Sequence, residues 1–282
     1  LDIRIIQIDS FTRLPFRGNP AGVCLLHEPM PTSWMQQVAN EMNLSETAFL
    51  LPEEEGYNLR WFTPTVEVDL CGHATLASAH ALWSEGDLAP STEARFSTRS
   101  GLLTALHRAN SNRESWIELN FPVAICEPTE LDSKVQQALG DIKPLAITHT
   151  QSGFLLVEVA DEEEVHTLQP DFSILKTAPY NGVIVTSLAG RGTSQHSGQS
   201  SGKSYDFVSR FFAPAIGIDE DPVTGAAHCV LAPFWRDRLG KDDMLAYQAS
   251  RRGGEMRLHY DGGDRVKLMG QAVTVFRGVL QA

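Results

Sequence analysis

Cysteine is scarce. The 282-residue chain holds 4, Cys24, Cys71, Cys126 and Cys229, far apart and with no CxxC pair. That argues against a disulfide-stapled framework or a CxxC redox motif, so the four read as reduced thiols. Long hydrophobic runs are absent: no apolar stretch approaches a membrane span, and the opening residues carry no signal-peptide pattern. No membrane partner is expected. Positive charge is in deficit, with a formal net charge of -12. Such a surface repels phosphate backbones, which excludes nucleic acid as the expected partner. Metal-ligand spacing is missing too, with no HExxH and no Cys/His cluster along the chain, so no metal is expected. One stretch imitates a phosphate-binding loop. "GQSSGKS" (198–204) has three residues between Gly198 and Gly202, where the motif needs four. The "YDFVSRFF" that follows reads as a strand, so a Gly/Ser-rich surface loop is the better reading. What remains, at 42% hydrophobic and 21% charged residues, is a soluble globular protein with a cytoplasmic enzyme as the expected class.

Strands dominate what is present. "IRIIQIDSF" alternates β-branched residues, and Gly18, Asn19 and Pro20 punctuate the turn after it. "PTSWMQQVANEMN" places Trp34, Met35, Val38, Ala39 and Met42 on one helical face, with Thr32 or Ser33 as cap. "SETAFLLP", "YNLRWFTP", "ARFST", "GLLTALHR" and "SWIELNF" read as strands, and Cys71–Trp83 as a helix of small residues. "FPVAICEPTE" is the candidate linker, followed by a helix in "ELDSKVQQALG". The pattern is strand-rich and not regularly βαβ, which predicts an α+β fold.

The chain also repeats itself. "WFTPTVEVDLCGHAT" (61–75) and "FFAPAIGIDEDPVTGAA" (211–227) share aromatic–Phe–x–Pro–x–(Val/Ile)–x–(Val/Ile)–Asp, then pass through Gly into small residues. Each half therefore delivers a strand into a helix N-terminus. Two such starts, facing across a cleft, would offer free backbone N–H groups and positive dipole ends to a small carboxylate.

Four side chains stand out near these starts. Cys71, at a helix N-terminus, is either an activated thiol or a small packing residue. His73 is either a substrate-binding or proton-relaying group or a core histidine. His80 lies seven residues on, a spacing that makes no metal site. Glu46 opens an apolar run, where a carboxylate needs a partner or a raised pKa; otherwise it is an exposed edge carboxylate. Asp221 precedes a helix that Pro222 can start at its first position, and an acid there is an ordinary cap. The position matching Cys71 in the second half is Pro222, so a two-thiol mechanism lacks its partner.

These motifs, "IDSFT…FRGNPAGV", "EMNLSETAFL", "FTPTVEVDLCGHATLA" and "RFFAPAIGIDEDPVTGAAH", resemble end to end the phenazine-biosynthesis PhzF-like isomerase family. The resemblance implies a diaminopimelate epimerase-like α+β fold: two pseudo-symmetric halves, each a sheet wrapped round a central helix, with the active site in the cleft between them. The halves would be residues 1–120, joined by a last strand at about 272–282, and 128–271. By match, Glu46 is the acid/base, and His73 and Asp221 line the pocket. Gly72–His73 and Gly225–Ala226 would hold a carboxylate through backbone N–H groups, with Asn19 at the pocket edge. No cofactor or metal is implied, and a homodimer is. Ala226 stands where the family often has Ser, which removes one hydroxyl contact. The implied activity is a proton shift on a small, unsaturated carboxylate-bearing substrate. An amino-acid epimerase or racemase using Cys71 and a non-catalytic carboxylate-binding protein are the alternatives.

Overall fold

A computed structural model describes residues 2–109, 114–190 and 204–281. The Gly/Ser-rich stretch 198–204 lies, up to residue 203, outside them. The chain divides into two compact units, Leu1–Phe121 with Lys267–Ala282, and Pro122–Val266.

In the first unit the order is β1 (Asp2–Ser10), β2 (Asn19–Leu25), α1 (Thr32–Met42), β3 (Glu46–Glu53), β4 (Gly56–Phe62), β5 (Glu67–Val68), α2 (Gly72–Glu85), β6 (Ala94–Thr98), β7 (Gly101–Ala109) and β8 (Ser115–Pro122). The second unit follows with β9 (Cys126–Pro128), α3 (Ser133–Leu139), β10 (Ala146–Thr150), β11 (Phe154–Glu158), α4 (Glu162–Thr167), α5 (Phe172–Leu175), β12 (Gly182–Leu188), β13 (Phe207–Ala213), β14 (Ile218–Asp221), α6 (Gly225–Leu239), β15 (Asp243–Gln248) and β16 (Gly254–His259). β17 (Arg265–Gly270) crosses the unit boundary, and β18 (Ala272–Gln281) ends the chain in the first unit. The α+β expectation is borne out.

Strand pairing repeats from unit to unit. In the first, β18–β1 and β1–β2 are antiparallel, β2–β3 parallel, β3–β4 antiparallel, β4–β6 parallel and β6–β7 antiparallel, with β5 added antiparallel to β4. In the second, β9–β10 and β10–β11 are antiparallel, β11–β12 parallel, β12–β13 antiparallel, β13–β15 parallel and β15–β16 antiparallel, with β14 added antiparallel to β13. A parallel pair requires a long crossover, usually helical. Accordingly α1 bridges β2 to β3, α4 and α5 bridge β11 to β12, and α2 and α6 bridge the other two parallel pairs. The repeat read at 61–75 and 211–227 is thus strand, short return strand, helix in both units.

α2 is buried on every side from Gly72 to Ala79 and again from Ala81 to Trp83. Only small residues let strands approach a helix all round, which is why "GHATLASAHAL" has no polar face. Its hydroxyls bond back within the helix: Thr75 Oγ1 to Cys71 O at 2.5 Å and Ser78 Oγ to Ala74 O at 2.7 Å. α6 is similarly buried and carries Pro233 in its interior. That proline leaves the Cys229 carbonyl without its helical donor, and Ala124 N donates to it instead at 3.1 Å.

Two capping expectations are corrected. α1 begins at Thr32 itself, so Pro31 is the N-cap and no side chain caps the helix. α6 begins at Gly225, three residues beyond Pro222, because β14 continues to Asp221. The apolar face of α1 is as read, with Met35 and Ala39 buried against Ile3, Ile5, Phe49 and Phe62. α3 is capped by Asp132, which accepts from Lys134 N and Val135 N.

Candidate active site

The start of α2 is where the first unit gathers its polar side chains. β1 ends at Ser10 and β2 begins at Asn19, paired across the ladder. Gly18 closes this turn at φ +62°, and a Cβ there would overlap the Ser10 carbonyl oxygen. Only glycine fits on both counts. β3 runs parallel to β2 with Glu46 opposite Ala21, two residues from Asn19 and so on the same face of β2. Cys71 is the N-cap of α2 and His73 its second residue.

The hydrogen bonds converge on His73. Ser10 Oγ donates to its carbonyl at 2.8 Å, and the Asn19 amide lies 3.0 Å from Nδ1. Cys71 Sγ stands 3.5 Å from the same nitrogen. On the other edge of the ring, Nε2 is 3.1 Å from Glu46 Oε2. That pair is close enough for charge attraction yet off line, and neither atom completes a hydrogen bond with the protein. Glu46 is 8% exposed, Cys71 6% and His73 3%. Glu46 is therefore not an exposed edge carboxylate; it is buried with a partner.

The electrostatics of the three are coupled. Burial acts against a charged His73 ring, but the pull of Cys71, once that sulfur is ionised, and of the Glu46 carboxylate outweighs it and holds its pKa well above the ordinary value. The end of the Asn19 amide that faces the ring follows from this: its nitrogen if Nδ1 is bare, its oxygen if the ring is protonated. Of the two readings of Cys71, the electrostatics favour the packing thiol. Burial first, then the charge of Glu46, push the thiol up to about 11, although the helix start works the other way. At neutral pH it is a thiol.

No side chain caps α2 at Cys71 or α6 at Thr224. In the second unit Thr224 Oγ1 donates to Asp221 Oδ2 at 2.5 Å. Asp221 is thus not itself the cap. Gln248 locks the turn: its Nε2 donates to Asp221 O at 2.7 Å and its Oε1 accepts from Thr224 N at 2.8 Å. Gly225 and Ala226 follow as the first residues of α6. His228 is fully buried, with Nδ1 2.8 Å from Thr224 O, and burial lowers its pKa to about 4. His80 contacts Thr274 Oγ1 at 3.1 Å and is also lowered to about 4, by burial first.

The structure brings Asn19, Glu46, Gly72 and His73 together in one unit and Asp221, Gly225 and Ala226 together in the other. Reading the sequence missed Ser10, Thr224 and Gln248. The first two sit inside quoted motifs, "IDSF" and "PVTG", but Gln248 had no local signal. One grouping is not legible from spacing along the chain. Glu46, Cys71 and His73 each offer a ligand atom, all within 4.8 Å of one another. Spacing rules find ligands carried on one element, and these come from a strand and a helix 25 residues apart.

Comparison with known proteins identifies relatives over the whole chain. An isomerase of Halalkalibacterium halodurans, named as uncharacterized, is 47% identical over 279 residues, covering 98% of this chain and 97% of the relative. A similarly named isomerase of Pseudomonas aeruginosa is 45% identical, covering 99% and 98%. The crystal structure of a phenazine biosynthesis protein of the PhzF family from Enterococcus faecalis superposes with a TM-score of 0.88 at 37% identity, covering 100% of both chains. Among the described residues, no helix is long and apolar enough to cross a membrane. Residues 8–278 match the PhzC-PhzF family of phenazine biosynthesis-like proteins, and the chain belongs to that family.

Proposed function

We propose that this protein is an isomerase that moves a proton on a small, unsaturated, carboxylate-bearing substrate, with Glu46 as the single acid/base. Its similarity to proteins named isomerases supports the reaction class. The observation that carries the residue assignment is the buried Glu46 carboxylate beside His73 at an uncapped helix start.

A general base works best when held in place and kept from water. Glu46 opens a paired strand, and His73 is fixed by Ser10 and Asn19. Glu46 takes the proton from a carbon next to the unsaturated system and returns it to another carbon on the same face, while His73 balances the charge change across a 3.1 Å contact. The substrate carboxylate is held by backbone N–H groups of Gly72 and His73, favoured by the positive end of the α2 dipole. Gly225 and Ala226 present the same kind of donor at the start of α6, beside Asp221. No cofactor takes part, and the protein works as a homodimer.

The raised thiol pKa speaks against the epimerase alternative, because a thiol at about 11 is a poor base at neutral pH. The test is a panel of small carboxylic acids incubated with the protein in heavy water and read by mass spectrometry. One acid should gain deuterium at a carbon other than the one that lost hydrogen, before and after dialysis against a chelator. Deuterium entering only at an α-carbon with inversion would overturn the reading.

A further inference from the structure

We propose that Glu46, Cys71 and His73 form a binding site for a thiophilic divalent cation, with Zn²⁺ as its representative, and that occupancy shuts the acid/base off. The binding claim stands by itself; only the shut-off rests on Glu46 being the base.

The argument begins with convergence. The three side chains each offer one ligand atom, and these atoms lie within 4.8 Å of one another. Cys71 Sγ is 3.5 Å from one ring nitrogen of His73, and Glu46 Oε2 is 3.1 Å from the other. Donors at about 2.0–2.3 Å around a tetrahedral ion stand roughly 3.3–3.8 Å apart. Sulfur and carboxylate flank different ring nitrogens, so a shared ion requires the His73 ring or the Cys71 side chain to turn until one nitrogen faces both partners.

The donor chemistry is selective. One thiolate, one imidazole and one carboxylate, with a fourth position open, is a zinc-type set. The sulfur disfavours Mg²⁺ and Ca²⁺, which prefer oxygen alone. Two of the donors, Glu46 Oε2 and His73 Nε2, complete no hydrogen bond with the protein. A bound cation satisfies such atoms. If Nε2 coordinates, the Asn19 amide at 3.0 Å from Nδ1 orients the ring from behind.

The positive end of α2 opposes a cation, but by only about half a charge. Thiolate and carboxylate together supply two negative charges once the thiol has lost its proton. On binding, the protons of the Cys71 thiol and of the coordinating ring nitrogen leave to solvent. A coordinated Glu46 carboxylate cannot accept a substrate proton.

The experiment is an optical titration of the whole chain with Co²⁺, followed by competition with Zn²⁺. One Co²⁺ per chain is expected, with a thiolate-to-cobalt charge-transfer band that Zn²⁺ abolishes. Cys71→Ala and Cys71→Ser, checked for folding by thermal melts, should both lose the band and weaken binding by more than about 100-fold. Cys126→Ser, which removes the half-exposed thiol, should keep it. Absence of the band in the wild-type chain, or its survival in a folded Cys71 variant, overturns the site. Saturating Zn²⁺ should stop deuterium exchange, and a chelator should restore it; exchange that continues with zinc bound overturns the shut-off. A chain that binds cobalt but exchanges no proton on any acid leaves the cation site standing and removes the isomerase reading instead.

Discussion

Replacing Glu46 by Gln keeps the shape of the side chain and removes its charge and its exchangeable proton. Two consequences can be separated. Loss of a positioned general base costs about 10²–10⁴-fold, so turnover should fall by about a thousandfold, roughly 4 kcal/mol in transition-state stabilisation. The effect on stability is smaller. Stranding a buried charge costs about 3–5 kcal/mol, but His73 escapes that by releasing its proton. The loss is then nearer the 1–2 kcal/mol, roughly, of a weakened buried hydrogen bond. The pH dependence identifies the cause. Burial by itself lowers the His73 pKa; Cys71, once ionised, and the Glu46 carboxylate raise it well above the ordinary value. A group whose folded pKa exceeds its unfolded value of about 6.5 gives stability that is complete below that pH. That stability is lost as pH rises through the folded value. The gap between wild type and Glu46→Gln in urea melts should therefore be widest near and below about pH 6.5 and shrink toward alkaline pH. A gap that is flat with pH would refute the coupling of Glu46 to His73. Turnover within about tenfold of wild type would refute the base.

Cys71→Ala should lower turnover by about tenfold or less, roughly 1.4 kcal/mol, because the thiol is neutral and the N-cap that matches it at the start of α6 is Thr224, not the expected Pro222 and not a second thiol; a loss of several orders of magnitude would restore the thiol to the chemistry. His228 has a folded pKa of about 4, so the unfolded chain alone takes up its proton between about pH 6.5 and about 4. His228 should contribute a fall in stability of about 3 kcal/mol over that window, so the fall should be smaller in His228→Gln, and equal acid slopes in urea melts of the two proteins would contradict the burial argument. Gly18→Ala forces a Cβ against the Ser10 carbonyl and strains a left-handed residue. Both Ser10 and Asn19 touch His73, so melting temperature and turnover should drop together, and an unchanged melting curve would show that the turn can adjust.

The sequence by itself determined the α+β class, the family and the repeated strand-to-helix passage. Those depend on local signals: β-branched alternation, an apolar stripe from Trp34 to Met42, and small residues through Cys71–Trp83. Such patterns act over a few residues, and burial then follows from them. The choice between readings of a polar residue is different in kind. Glu46 could have been an exposed edge carboxylate; what decides it is β3 lying parallel to β2, which carries the carboxylate to His73. Cys71 at a helix N-terminus could be an activated thiol or a packing residue, and enclosure and a neighbouring carboxylate raise its pKa and favour the second. Pro222 reads as the first residue of a helix, but pairing of Asp221 with Phe211 extends the strand and delays the helix to Gly225. The Glu46–Cys71–His73 donor set is invisible to spacing because two of its members sit at the start of α2 and the third on a strand. A pKa depends on everything within a few ångströms of the group, and a ligand set on atoms brought together by the ladder. Only the tertiary structure places those neighbours.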